Sequence, residues 1–159
     1  MMDMPCLLVV RIRGQVDVPY DVEHTLKLLR LRKRYHATLV KNDPQVLGML
    51  KKAEPYITWG EPALETIVAL LSKRAKVRGN EKLTDEYVRK HTKYQSIEEL
   101  AKALYDCEVD LKDVPGLKPV FRLHPPRKGL KGTIKKHFVV GGAYGYRGVH
   151  INDLVMRML

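Results

Sequence analysis

The chain has 159 residues, 45% of them apolar, enough for one domain with its own core and an extension. Its 29 Lys and Arg against 18 Asp and Glu leave a formal charge of +11, distributed as +4 in residues 1–60, −1 in residues 61–110 and +8 in residues 111–159. A protein that needs charge only for solubility intersperses its signs, so two cationic blocks around a neutral one point to a polyanion, with nucleic acid preferred over a merely solvated surface. The apolar run at residues 7–10 is far too short for a membrane span and no cleavable leader pattern is visible, so a cytoplasmic protein with no membrane partner is expected.

Leu8, Val10 and Ile12 alternate with Val9, Arg11 and Arg13, which reads as a half-buried strand with its arginines in water, closed by Gly14. Pro19 suits the first turn of a helix whose stripe is Val22, Leu26 and Leu29. Residues 37–40 form the second strand. Asp43 then Pro44 repeats the start signal, with Val46, Leu47 and Leu50 as the second stripe, and residues 56–59 are the third strand. Two amphipathic helices on one face of a three-stranded sheet make a two-layer β-α-β-α-β core over residues 1–60, hence an α+β fold class.

Residues 61–110 read as a helical extension. Pro62 opens a helix carrying Leu64, Ile67, Val68 and Leu71. Thr84 caps a short one through Tyr87 and Val88. Ser96-x-x-Glu99 is a capping box ahead of Leu100, Ala103 and Leu104, in which the Glu99 carboxylate should return to the Ser96 amide. In residues 111–159, Pro115, Pro119, Pro125 and Pro126 exclude a continuous helix, so this part is expected to be an extended basic RNA-binding segment that ends in a short helix.

The cations fall into two clusters. Arg30, Arg32, Lys33 and Arg34, next to Tyr35 and His36, follow the first helix, where the helix dipole explains one or two of them but not all four. Arg122, His124, Arg127 and Lys128 project from a proline-stiffened backbone and lead to Lys131, Lys135, Lys136 and His137. The glycine loop at residues 141–148 is neither a dinucleotide fingerprint nor a Walker A site. With Tyr144, Tyr146 and Arg147 it reads as a loop pressed against an RNA backbone. Its rings are as easily core as stacking platforms, while Arg147 is expected to be hard to bury.

No catalytic residue, metal, cofactor or small-molecule substrate is expected. The six histidines lack metal spacing, Ser72 and Ser96 lack a nucleophile elbow, and the acid pairs Asp85-Glu86 and Glu98-Glu99 sit at helix starts. Cys6 and Cys107 read as two buried thiols in preference to a disulfide or a zinc site.

Several segments taken together carry a resemblance: Leu7-Leu-Val-Val-Arg-Ile-Arg-Gly14, Ala37-Thr-Leu-Val40, Trp59-Gly-Glu-Pro62, Leu123-His-Pro-Pro-Arg127, His137-Phe-Val-Val-Gly-Gly142 and Ile151-Asn-Asp-Leu154. In this order the chain resembles the archaeal form of the universal large-subunit ribosomal protein L-thirty family, whose eukaryotic members are called L-seven. The resemblance implies a ferredoxin-like core with an added helical middle and basic C-terminal part. It implies a non-catalytic protein of the cytoplasmic ribosome that binds large-subunit ribosomal RNA beside neighbouring ribosomal proteins. Short bacterial relatives end near the third strand, which agrees with a boundary at residues 60–62. Two departures are Lys128, where a glycine is usual, and Val140, where an acid is often found. The expected RNA contacts are Arg32, Lys33, Arg34, Arg122, His124, Arg127, Lys128, Lys131, Lys135, Lys136, His137, Tyr144 and Arg147. The competing classes are an RNA-modifying enzyme using His124 or His137 and an adaptor docked through the helical block.

Overall fold

The computed structural model describes residues 6–159, so the first five residues of the 1–60 core lie outside the described residues. Strands β1 (Cys6–Arg11), β2 (His36–Lys41) and β3 (Ile57–Gly60) alternate with helices α1 (Tyr20–Leu28) and α2 (Pro44–Lys52), the α+β order expected. β1 lies between the other two and pairs antiparallel with both, setting Val9 opposite Thr38 and Trp59. Pro19 sits just ahead of α1 as its cap, and α2 starts as predicted, with the Asp43 carboxylate accepting the Val46 amide at 2.9 Å.

The period of two along β1 divides the core. Leu7 and Val9 pack with Leu26, Leu29, Leu50 and Trp59 in the α1/α2 layer, while Leu8, Val10 and Ile12 face the opposite side. The face carrying Val9 and Arg11 was expected to be wet, yet all six residues of β1 are buried, and the Leu8 face is covered by the rest of the chain. Helices α3 (Leu64–Lys73), α5 (Ile97–Tyr105) and α6 (Ile151–Met156) bury Ile67, Leu70, Leu71, Leu100, Leu104, Ile151 and Leu154 against it. Each such side chain contributes roughly 1.5–3 kcal/mol by leaving water. The two-layer unit of the N-terminal part thus acquires a third layer from the rest of the chain.

Between α3 and α5 lie a short hairpin, β4 (Lys76–Val77) with β5 (Glu81–Lys82), and α4 (Asp85–His91). Thr84 caps α4 by accepting the Tyr87 amide at 3.1 Å, and Ser96 caps α5 by accepting the Glu99 amide at 3.2 Å. The return bond differs from the expectation: the Glu99 carboxylate reaches the Gln95 amide at 2.9 Å, one residue beyond Ser96. The C-terminal segment holds short 3₁₀ turns and the expected terminal helix, α6. It also supplies two strands the sequence did not announce, β6 (Phe121–Arg122) and β7 (Gly145–Tyr146). They attach to opposite edges, β6 antiparallel to β2 and β7 parallel to β3, giving the order β6-β2-β1-β3-β7.

Candidate nucleic-acid interface

Helix α1 closes with paired bonds, Arg30 N to Lys27 O at 3.0 Å and Leu31 N to Leu26 O at 2.8 Å, with Arg30 left-handed at φ +66°. The turn throws Arg32, Lys33 and Arg34 into solvent before the chain enters β2. Arg11 fastens this loop from beneath. Fully buried on the α1 face, it donates to the carbonyls of Leu31 (2.8 Å), Arg13 (2.9 Å) and Gly14 (3.1 Å) and pairs with Glu23 at 3.2 Å. The reading of β1 with water-facing arginines therefore fails at Arg11, because its alternating face is roofed by α1.

Pairing of β6 with β2 sets exposed Arg122 directly opposite His36, and the next ladder bond, Leu123 N to Tyr35 O at 3.2 Å, brings exposed His124 alongside. His36 registers the convergence of charge. Burial, then Arg122, Lys33 and Arg11 in that order, push its pKa below the usual imidazole value. Five predicted contacts, Arg32, Lys33, Arg34, Arg122 and His124, thus share one sheet edge although some ninety residues separate the two groups.

Beyond His124 the chain becomes a strap laid on the C-terminal turn. His124 N bonds Met158 O at 2.9 Å and Arg127 N bonds Arg157 O at 3.0 Å. Arg157, held by Asp153 at 3.3 Å, donates back to the carbonyls of Arg127 (2.8 Å) and Gly129. Within the strap Pro126 is buried, while Arg127, Lys128 and Lys131 are exposed, the two lysines at φ +63° and +59°. Exposed Lys135 and Lys136 come last, beside β7, where Lys136 O accepts the Ala143 amide at 3.0 Å. β6 and β7 stand four strand spacings apart, about 19 Å. Cations contiguous in sequence therefore form two separate edges joined by the strap.

The last three predicted contacts are engaged internally. Half-buried His137 accepts the Val139 amide at 3.1 Å and meets Tyr144 edge-on at 5.4 Å, while Tyr144 packs against the core. Arg147, which its charge was expected to keep at the surface, is only 6% exposed. It donates to Thr58 Oγ1 and to the Ala143 carbonyl, both at 2.7 Å, and lies 4.8 Å from the Phe138 ring centroid. Burial pulls its pKa down to about 10, which still leaves it charged at neutrality.

The glycines of this loop serve close approach within the chain. A Cβ on Gly145, which sits at φ +88°, would run into the His137 ring, and one on Gly60 would run into the Gly148 carbonyl. Tyr146 is bound through its hydroxyl to Glu61; that hydrogen bond, ahead of burial and charge, pushes its pKa up to about 12.

Arg11 and Arg157 are the organising residues that sequence reasoning missed. Asp153 four residues before Arg157 was a usable signal, whereas nothing local distinguishes Arg11 from an exposed strand arginine. Among the described residues, no group of three His, Cys, Asp or Glu could hold a metal ion.

A small α+β domain whose exposed cations line two sheet edges and the strap between them belongs in architecture to the basic scaffold proteins. The family described as "Ribosomal protein L30p/L7e" matches residues 7–57. Relatives named "Large ribosomal subunit protein uL30" are 50% identical in Methanopyrus kandleri (93% of this chain, 100% of the relative) and 50% in Thermofilum pendens (98% and 100%). Another, from Archaeoglobus fulgidus, is 51% identical (94% and 97%). The chain belongs to the L30p/L7e family of ribosomal proteins.

Proposed function

We propose that this chain is a non-catalytic component of the large ribosomal subunit, acting in translation in the cytoplasm, and that it binds ribosomal RNA through its two basic edges and the strap between them. The archaeal relatives carry that subunit in their names. The observation that carries the RNA reading is the bracing of exposed cations by buried or anchored ones. Arg11 holds the loop bearing Arg32, Lys33 and Arg34, and Arg157 holds the strap bearing Arg127 and Lys128. A pre-ordered loop loses little entropy when a phosphate arrives. Arg30, Lys128 and Lys131 also keep left-handed backbones that cost about 1–2 kcal/mol each for a residue with a Cβ, in places where glycine would relieve the strain. A cation there is worth that strain if it meets a phosphate.

The mechanism is recognition of folded RNA by shape and charge, with Arg or Lys on phosphates releasing counterions and the two edges touching separate backbone segments. Neighbouring ribosomal proteins complete the set of partners. Binding to large-subunit ribosomal RNA, measured across salt concentrations, tests this. Replacing Arg32, Lys33 and Arg34 together by alanine should lower affinity and flatten the log–log salt slope by about 0.7–0.9 for each phosphate no longer neutralised. An unchanged slope removes that edge from the interface. In lysate the protein should sediment with the large subunit after a high-salt wash, and running free at the top of the gradient refutes the ribosomal reading.

A further inference from the structure

Helix α5 ends in the same left-handed turn as α1, with Cys107 N bonded to Leu104 O at 3.1 Å and Glu108 N to Ala103 O at 2.9 Å. The residue at the left-handed position is Cys107, φ +58°. Glycine is the unstrained choice there, so the site keeps a side chain against the backbone's preference. That side chain meets Cys6, the first residue of β1: the two thiols are in hydrogen-bonding contact and line one small pocket with Leu39, Val40, Leu104 and Val109. Sequence spacing gave no reason to join residues so far apart, and the expectation was two buried thiols in preference to a disulfide. Instead Cys6 is buried, Cys107 is half-buried, and they are neighbours.

We propose that Cys6 and Cys107 form a dithiol–disulfide site which, on oxidation by a low-molecular-weight disulfide, closes into a covalent clasp between the sheet and the end of α5. The more exposed Cys107 loses its proton and its sulfur attacks the small disulfide, forming a mixed disulfide and expelling one thiolate. The Cys6 thiolate then attacks Cys107 Sγ, forming the Sγ–Sγ bond and expelling the second. Two protein thiols are oxidised, one small disulfide is reduced, and the two expelled thiolates take up the two protons the protein thiols lose, giving two small thiols. Burial is the largest influence raising both thiol pKa values, and Asp110 adds to it while Lys41 opposes it at Cys107. Few thiolates exist at neutral pH, so closure is slow in spite of the proximity.

The test uses the full chain, reduced and then incubated with glutathione disulfide in native buffer and in denaturant, quenched with acid and analysed by intact mass and tryptic mapping. The native protein should lose about 2 Da, the two thiol hydrogens, and yield peptide 1–11 linked to peptide 103–112. The ratio of linkage to glutathione adduct should be higher than in denaturant, where the two cysteines are far apart. Closing a loop of about a hundred residues should raise the Tm on the order of 10 °C over the reduced protein. Cys6→Ser should instead retain a glutathione adduct on Cys107. Stable adducts on the native unsubstituted chain, dimers cross-linked between chains, a ratio of linkage to adduct no higher in native buffer than in denaturant, or an oxidised form melting no higher would each overturn the proposal. These readouts on the unsubstituted chain decide the matter even where a serine variant does not fold.

Discussion

Replacing Arg11 by methionine keeps much of the volume and removes the guanidinium that joins β1 to the basic loop. Its acceptors differ in how they fare without it. The Arg13 and Gly14 carbonyls lie near the surface and can be rehydrated, and Glu23, 20% exposed, can turn to water. The Leu31 carbonyl, bound at 2.8 Å inside the core, has no such recourse. An unsatisfied buried acceptor costs about 1–3 kcal/mol and removal of a charge-assisted bond about 1.5–3 kcal/mol, part of which is offset because a charge no longer has to be desolvated. The expected net loss is about 3 kcal/mol, a fall of roughly 6–12 °C in Tm for a chain of this size. Glu23→Gln, which keeps a neutral acceptor on the exposed side, should cost only about 1 kcal/mol. Urea unfolding with an unchanged m-value is the assay. RNA affinity of Arg11→Met should fall while its salt slope stays as it was, because the loop loosens without losing a cation. A stability change within about 0.5 kcal/mol would show that Arg11 does not brace the loop, and the argument for a pre-ordered interface at this edge would go with it.

Arg147→Met should destabilise the fold by about 2–3 kcal/mol through the unsatisfied Ala143 carbonyl and the lost charge-assisted bond to Thr58, whose hydroxyl still donates to the Gly145 carbonyl, yet leave the salt slope of RNA binding unchanged; a flattened slope would return Arg147 to the interface. Gly145→Ala combines a left-handed backbone with a collision against His137 and should lower stability by at least about 2 kcal/mol in chemical denaturation, whereas a neutral result would show that the loop adapts. His36 has a folded pKa below its unfolded value of 6.5, so its neutral form is the one the fold favours. That contribution is fully present above pH 6.5 and is lost as pH falls from there through the folded pKa. Thermal melts from pH 7.5 down to pH 5, on the acid side of the usual imidazole titration, should therefore decline more steeply for the natural chain than for His36→Gln, and parallel profiles would contradict this.

Much of the local structure was written in short-range chemistry. The caps at Asp43, Thr84 and Ser96 are visible because a hydroxyl or carboxylate three residues before an orphan amide is a local event. The stripes that define α1 and α2 are equally local. β6 and β7 were not visible, since each is two residues long and owes its strand geometry to the partner edge it meets. The same limit governs the candidate interface. Exposed cations such as Arg32, Arg122 and Lys136 could be read as surface charge from composition. The burial of Arg147 depends on Thr58 and Ala143 arriving around it, and that of Arg11 depends on α1 folding over its face.

By itself the sequence determined the order of the core elements, the resemblance to a ribosomal protein family and the sign and distribution of the chain's own charge, all of which depend on residue type and near-neighbour spacing. Only the tertiary structure decided that both faces of the sheet are covered and that two arginines brace while their neighbours reach outward. It alone separated one basic run onto two edges and brought Cys6 against Cys107. Those outcomes depend on which distant segments meet, and the energy of a buried charge or a paired thiol is set by what surrounds it rather than by what precedes it in the chain.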